Sequence, residues 1–209
     1  MKCVVVLGTE RSCTSAVAGV LHLLGCPMAS EEFIIKAHPE FNAKGHFEDR
    51  RWHELNRRVS RQLGLHKEQE AEYKALIAAC RREPIWGVKD PYFVNMGGLV
   101  FSLIEDDLYF IAVHRRFDAT VASLQRHHDG GKGTHLVRAQ SVGIEWKKRF
   151  FDMLHWVSPL YHLQAERLMT DTEQEIQGIL NFLGWSPKED LQKAIDFIDP
   201  TLYHFPRLK

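Results

Sequence analysis

Little in this chain announces a partner or a compartment. Lys plus Arg and Asp plus Glu each number 27 in 209 residues, so there is no net charge to draw nucleic acid or an anionic membrane. Any anion site has to be local, and the twelve histidines add charge only below neutral pH. Cysteine is scarce: Cys3, Cys13, Cys26 and Cys80 have no metal-ligand spacing, and a reducing compartment is the default for such a set. Long apolar runs are missing. The first, residues 3–7, breaks at Gly8, no stretch approaches the roughly 20 residues a membrane helix needs, and no basic segment followed by an apolar one reads as a leader. Repeats and low-complexity tracts are also lacking. These absences lead to the expectation of a soluble, cytoplasmic protein with a single domain over 1–209, no nucleic-acid or membrane partner, and an open oligomeric state. The apolar fraction of 44% suffices for one substantial core.

The segments that are present alternate. The apolar run 3–7 passes directly into helical spacing over 16–24, with Val17, Val20, Leu21 and Leu24 inward and Gly25 and Pro27 as the stop. Residues 28–47 carry weak periodicity, punctuated by Pro39, Asn42 and Gly45, and read as an ordered excursion of the kind that often bears function. A helix from Glu48 to about 63 turns Trp52, Leu55 and Val59 inward and most of its arginines outward. A further helix covers 68–82. Strands are expected over 85–88, 108–114 and 160–164, with helical patterns at 119–124 and 137–157. Thr172 with Glu175, and Ser186 with Glu189, spell capping boxes for the last two helices. Strands separated by helical crossovers predict an α/β fold, a mostly parallel central sheet between two helical layers, like that of P-loop NTPases. Ligands in such sheets sit at the carboxyl ends of the strands, where Gly8, Lys89 and Arg115 emerge.

A strand that turns through residues 8–15 into a helix aims N–H groups and a positive dipole end at one point, a place for phosphate. It is not a Walker A loop. Cys13 and Thr14 stand where that motif wants Gly and Lys, so the β- and γ-phosphates of a nucleoside triphosphate lack their principal cation. The spacing resembles instead the 5′-phosphosulfate loop, G-x-P-R-S-G-T-[ST], of sulfotransferases that use 3′-phosphoadenosine-5′-phosphosulfate (PAPS). Arg11, Ser12, Thr14 and Ser15 fit, while Glu10 replaces Pro and Cys13 replaces Gly. The plain alternative is an ordinary turn with Ser or Thr as helix cap. The resemblance continues along the chain. Arg115, with Ser123 eight residues on, is similar to the 3′-phosphate element R-x-P-x-D-x-x-x-S, with Phe117 for Pro. Residues 45–49, with Leu55 and Asn56, resemble N-P-x-G-x-x-E with Ala43 for Pro, residues 86–91 match W-x-x-K-D-P, and residues 164–168 with 182–184 resemble Y-E-x-L followed by F-L-G with Ala165 for Tyr.

The resemblance, spanning residues 4 to about 185, implies a sulfotransferase of the bacterial type with PAPS as donor and adenosine 3′,5′-bisphosphate as product, moving a sulfuryl group to a hydroxyl or amine of a small-molecule or glycan acceptor without a metal. On that reading Thr9, Arg11, Ser12, Cys13, Thr14 and Ser15 surround the 5′-phosphate, Lys89 meets the phosphosulfate bridge, and Arg115 and Ser123 take the 3′-phosphate. Glu48 is the first candidate for general base, its plain alternative being a helix cap, with Glu32 second and His46 third. Asp90 orients Lys89 or caps the segment that follows. The glycine-rich stretch with His127, His128 and His135 reads as a lid rather than a metal site. Acceptor walls are expected from 28–47, 127–135 and Tyr203 to Phe205. A small-metabolite kinase, or a nucleotide-binding module without turnover, are the competing classes.

Overall fold

The computed structural model describes residues 1–38, 42–129 and 136–203, leaving aside the side chains of 127–129 and 136–137. Four parallel strands, β1 (Lys2–Leu7), β2 (Ile85–Lys89), β3 (Asp107–His114) and β4 (Leu160–Gln164), form one sheet in the order β2-β1-β3-β4. Val6 lies beside Lys89 across one edge of β1, and Leu7 beside Ala112 across the other. Side chains alternate across this sheet, and both faces are covered. Val4, Val6, Ile111 and Val113 pack under α1 (Thr14–Leu23), α7 (Ala165–Thr170), α8 (Thr172–Leu183) and α9 (Leu191–Phe197). Cys3, Val5, Leu7, Phe110 and Ala112 pack under α2 (Arg50–Val59), α3 (Lys67–Cys80), α4 (Phe93–Phe101) and α6 (Leu136–Leu154). The remaining helix, α5 (Phe117–Asp129), follows β3. The three-layer α/β/α architecture expected from the sequence is the one observed. Among the described residues no helix is long and apolar enough to cross a membrane.

Helix starts depart from the sequence reading in instructive ways. The box expected at Thr172 and Glu175 does not form: Asp171 holds the cap position, the Thr172 hydroxyl turns back to the Leu168 carbonyl at 2.8 Å, and Glu175 pairs with Arg167 at 2.8 Å. The short helix α7 runs almost directly into α8, and the Asp171 N–H still donates to the Arg167 carbonyl of the preceding turn at 2.7 Å. The last helix starts at Leu191 rather than at Ser186, with the Asp190 carboxylate accepting from the Gln192 N–H at 2.9 Å. Nor does Glu48 open α2. Asp49 is the cap, accepting from the Arg51 N–H at 2.9 Å, which frees Glu48 for another partner.

At the end of the sheet, His114 Nε2 lies 2.8 Å from His162 Nδ1, and one of the two must donate while the other accepts. Burial first, then the neighbouring His162, pushes the His114 pKa down to about 4 from its ordinary 6.5. The unfolded chain therefore binds an extra proton between these values, and stability held above 6.5 is lost as pH falls toward 4. We expect Tm to drop across this window and His114→Phe to remove part of the drop; an unchanged slope by calorimetry would locate the titration elsewhere.

Candidate functional site

A cavity of about 520 Å³ opens at the carboxyl ends of the strands, where the chain leaves β1 for one neighbour and later returns to the other. This is the crevice at which doubly wound sheets take ligands. Its floor comes from the loop after β1, from Lys89 and Pro91 at the end of β2, and from Arg115 after β3.

The loop after β1 is tight because Gly8 has no side chain. A Cβ there would come within 2.5 Å of both Ser12 Oγ and Thr14 Cγ2. Thr9 and Ser12 are buried, and the Ser12 hydroxyl donates to the Thr9 carbonyl at 2.6 Å; they shape the loop and do not line the cavity. Arg11, Cys13, Thr14 and Ser15 do line it. Arg11 and Cys13 are left-handed, at φ of 63° and 72°, conformations that favour glycine and cost a branched or bulky residue most. Cys13 is the cap residue of α1 and offers no side-chain hydrogen bond. The plain alternative of a Ser or Thr side-chain cap is therefore not what forms here: Cys13 holds the cap position, and its carbonyl accepts from the Ala16 N–H at 3.0 Å. Burial pushes the Cys13 thiol up to about 11, so it stays protonated.

Guanidiniums gather on one side. The Arg11 Nε–H donates to Ser123 Oγ at 3.0 Å, and an N–H of Arg115 donates to the Arg11 carbonyl at 2.6 Å. The Arg115 guanidinium lies 4.3 Å over the Tyr203 ring and donates to its hydroxyl at 3.1 Å; that hydroxyl in turn donates to Glu166 at 2.8 Å. Arg126 also lines the cavity. Burial, and next the charge of Arg115, lowers the pKa of both Arg11 and Arg126, whereas Glu10 and Cys13 oppose this at Arg11. Like charges held this close in a partly desolvated wall favour an anion between them.

On the other side, Lys89 and Glu48 form a buried ion pair. Lys89 Nζ also donates to Ser15 Oγ at 3.2 Å, and Asn42 Nδ2 donates to the same oxygen at 3.1 Å. The second Glu48 oxygen is 3.5 Å from His53 Nδ1, which lies 2.9 Å from Asp90 Oδ2. Burial raises the Asp90 pKa, with His53 pulling it back, while the bond to Asp90 raises that of His53. His46 lines the cavity too, its pKa lowered mainly by burial. Glu48, His53 and Asp90 offer ligand atoms within 4.8 Å of one another, but the Lys89 ammonium already supplies positive charge at Glu48.

The structure thus brings together Arg11, Cys13, Thr14, Ser15, Glu48, Lys89, Arg115, Ser123 and His46. Glu32, the second candidate base, is exposed and away from the cavity. Of the segments expected to wall the acceptor, Ile35, residues 42–46 and Tyr203 line the cavity; residues 39–41 and 204–205, and residues 130–135 of the expected lid, lie outside the described residues. Sequence reasoning missed His53 and Arg126. The available signal for His53 was its position one helical turn past the Asp49 cap, on a helix entering from Glu48.

No protein-family model matches the chain, and no curated protein sequence matches it. Solved structures do. The sulfotransferase domain of the Synechococcus PCC 7002 olefin synthase superposes with a TM-score of 0.58 at 17% identity, over 98% of this chain and 83% of that one. For the sulfotransferase domain from the curacin biosynthetic pathway the TM-score is 0.56 at 12% identity, over 93% and 78%. For the sulfotransferase STF1 from Mycobacterium tuberculosis H37Rv it is 0.55 at 15% identity, over 93% and 70%. At these identities the likeness establishes the fold: this chain is built as those sulfotransferases are.

Removing the Lys89 ammonium should leave Glu48 buried and unpaired. We expect Lys89→Met to destabilise the fold by about 3 kcal/mol, and Lys89→Met with Glu48→Gln to recover most of it, since breaking one side of a buried pair costs more than replacing both. Urea unfolding of the single and double variants measures this; additive losses would mean that the pair is not coupled.

Proposed function

We propose that the protein is a PAPS-dependent sulfotransferase, acting on a hydroxyl or amine of a small-molecule or glycan acceptor. One observation carries the reading. The cation beside Ser15 comes from the end of β2, as Lys89, and not from the phosphate loop, while Arg11, Arg115 and Arg126 with Ser123 form a separate anion-favouring wall in the same cavity. Two anion subsites with a lysine between loop and acceptor wall suit a nucleotide that carries phosphate at both its 5′ and 3′ positions. The fold shared with sulfotransferase domains supports the same conclusion.

The uncapped start of α1, with Thr14 and Ser15, would take the 5′-phosphate, and Arg11, Arg115, Arg126 and Ser123 the 3′-phosphate. PAPS supplies a sulfuryl group on a phosphate leaving group. Lys89, held by Glu48, would meet the charge that grows on that leaving oxygen, and fixed cations and N–H donors can stabilise it in a partly desolvated cavity. Glu48 acts here through Lys89. Acceptor approach is assigned to the wall of Ile35, residues 42–46, Phe197 and Leu202, which is apolar apart from Asn42, Lys44 and His46. The four free cysteines accord with a cytoplasmic setting.

Thermal stability tests the donor. A nucleotide at one hundred times its Kd adds about 2.7 kcal/mol, which raises Tm by roughly 5–10 °C for a chain of this size. We expect adenosine 3′,5′-bisphosphate to do so, ADP to do much less, and Arg115→Ala to erase the difference. Stabilisation by ATP with Mg²⁺ and none by the bisphosphate would refute the reading in favour of a kinase.

A further inference from the structure

We propose that His53, oriented by Asp90, takes the acceptor's proton, and that Glu48 serves to hold Lys89. The assignment rests on the sulfuryl-transfer reading and extends it to the proton. Among the described residues, Glu48, His46 and His53 are titratable side chains that line the cavity and neighbour Lys89. Glu48 is committed, because accepting a proton on Oε1 would strip a buried ammonium of its partner. For His46, no carboxylate among the described residues hydrogen-bonds to the ring.

His53 has the arrangement a base needs. Asp90 is 3% exposed, with Oδ1 accepting from the Tyr92 N–H at 2.8 Å and Oδ2 lying 2.9 Å from His53 Nδ1. A carboxylate can only accept there, so Nδ1 carries the proton and the lone pair is left on Nε2. His53 is the fourth residue of α2, a rigid element, and its ring lies 5.5 Å from that of Tyr92. This is the logic of a base oriented by a third group, built on regular structure. The charged and titratable groups around the imidazole are Asp90 and Tyr92 after β2, Lys89 at its end, and Glu48 and His46 from the loop before α2. The bond to Asp90 is the largest influence and raises the His53 pKa; burial opposes it, Glu48 adds to it and Lys89 subtracts. As the acceptor oxygen bonds to sulfur, the bond from sulfur to the 5′-phosphate oxygen breaks, its electron pair leaves on adenosine 3′,5′-bisphosphate, and the acceptor's proton passes to His53 Nε2.

Water can serve as the acceptor in the test, with ³⁵S-labelled PAPS as the probe and released sulfate as the readout across the pH range. The wild-type rate should rise with pH through a value above the ordinary 6.5, as the neutral imidazole forms. His53→Ala should lower the rate by about 100-fold or more and abolish that rise, with affinity for adenosine 3′,5′-bisphosphate unchanged within roughly threefold and partial rescue by free imidazole. Glu48→Gln should slow the reaction yet keep the rise. In the nucleotide-free protein, NMR titration should show the His53 pKa falling in Asp90→Asn; should that variant not fold, the imidazole rescue of His53→Ala carries the test. A His53→Ala enzyme that retains rate and pH profile, a rise lost in Glu48→Gln and kept in His53→Ala, or activity abolished by EDTA and restored by Mg²⁺ would each overturn the assignment. Failure of the wild type to bind adenosine 3′,5′-bisphosphate would instead overturn the sulfuryl-transfer reading and this assignment with it.

Discussion

The buried pair of Lys89 and Glu48 is the constraint on which the rest of the site depends. Lys89 is the last residue of β2, fixed in register beside Val6, so its ammonium is delivered by a strand that is buried along its whole length. Glu48 arrives from the opposite direction, at the end of the 28–47 excursion, and is locked by the Asp49 cap and by the bridge from Ile34 to Asp49. Two desolvated charges are a poor source of stability in themselves. What they do here is tie an irregular segment to the sheet and point Lys89 at Ser15.

The charge balance of the chain then takes on meaning through placement. A sequence with no net charge still concentrates three guanidiniums and two ammoniums of the described residues on one cavity, because β1, β2 and β3 end there side by side, α5 returns Ser123 and Arg126 to the same wall, and the segment before α2 adds Lys44. The acids near them are used to orient: Glu166 holds the Tyr203 hydroxyl that holds Arg115, and Glu48 holds Lys89. Cys13 fits this picture without the glycine that the loop's pattern usually has. The backbone accepts the left-handed turn, and the thiol joins the cavity wall.

Much of the fold was legible because its signals are local. The apolar runs that became β1, β3 and β4 are short and bounded, and the spacing of Val17, Val20 and Leu21 matches the face that α1 buries. Helix α4 was not legible: Phe93–Phe101 is apolar nearly all round, contains Gly97 and Gly98, and has no cap, so nothing in its pattern separates a buried helix from a buried strand or loop. Gly97 is explained only by packing, since a Cβ there would meet the Phe101 ring at 2.4 Å and the Met153 methyl at 2.9 Å. The capping signatures at Thr172 and Ser186 failed because tertiary neighbours intervene: Leu168 and Arg167 of α7 take the Thr172 hydroxyl and the Glu175 carboxylate, and Asp190 caps the last helix.

The sequence by itself determined the layering, the tight strand-to-helix turn of residues 8–15, the missing Walker lysine and the cations at neighbouring strand ends, because each is a property of one segment and its spacing. Only the tertiary structure decided who meets whom. It put Glu48 on Lys89 and not on a helix end, left Glu32 off the cavity wall, and joined His53 to Asp90 across 37 residues. Such pairings depend on the register of β2 against β1 and on the angle at which α2 returns to the sheet. Those are set by the burial of Trp52, Leu55 and Val59 against Trp86 and Val88, and no local pattern encodes them.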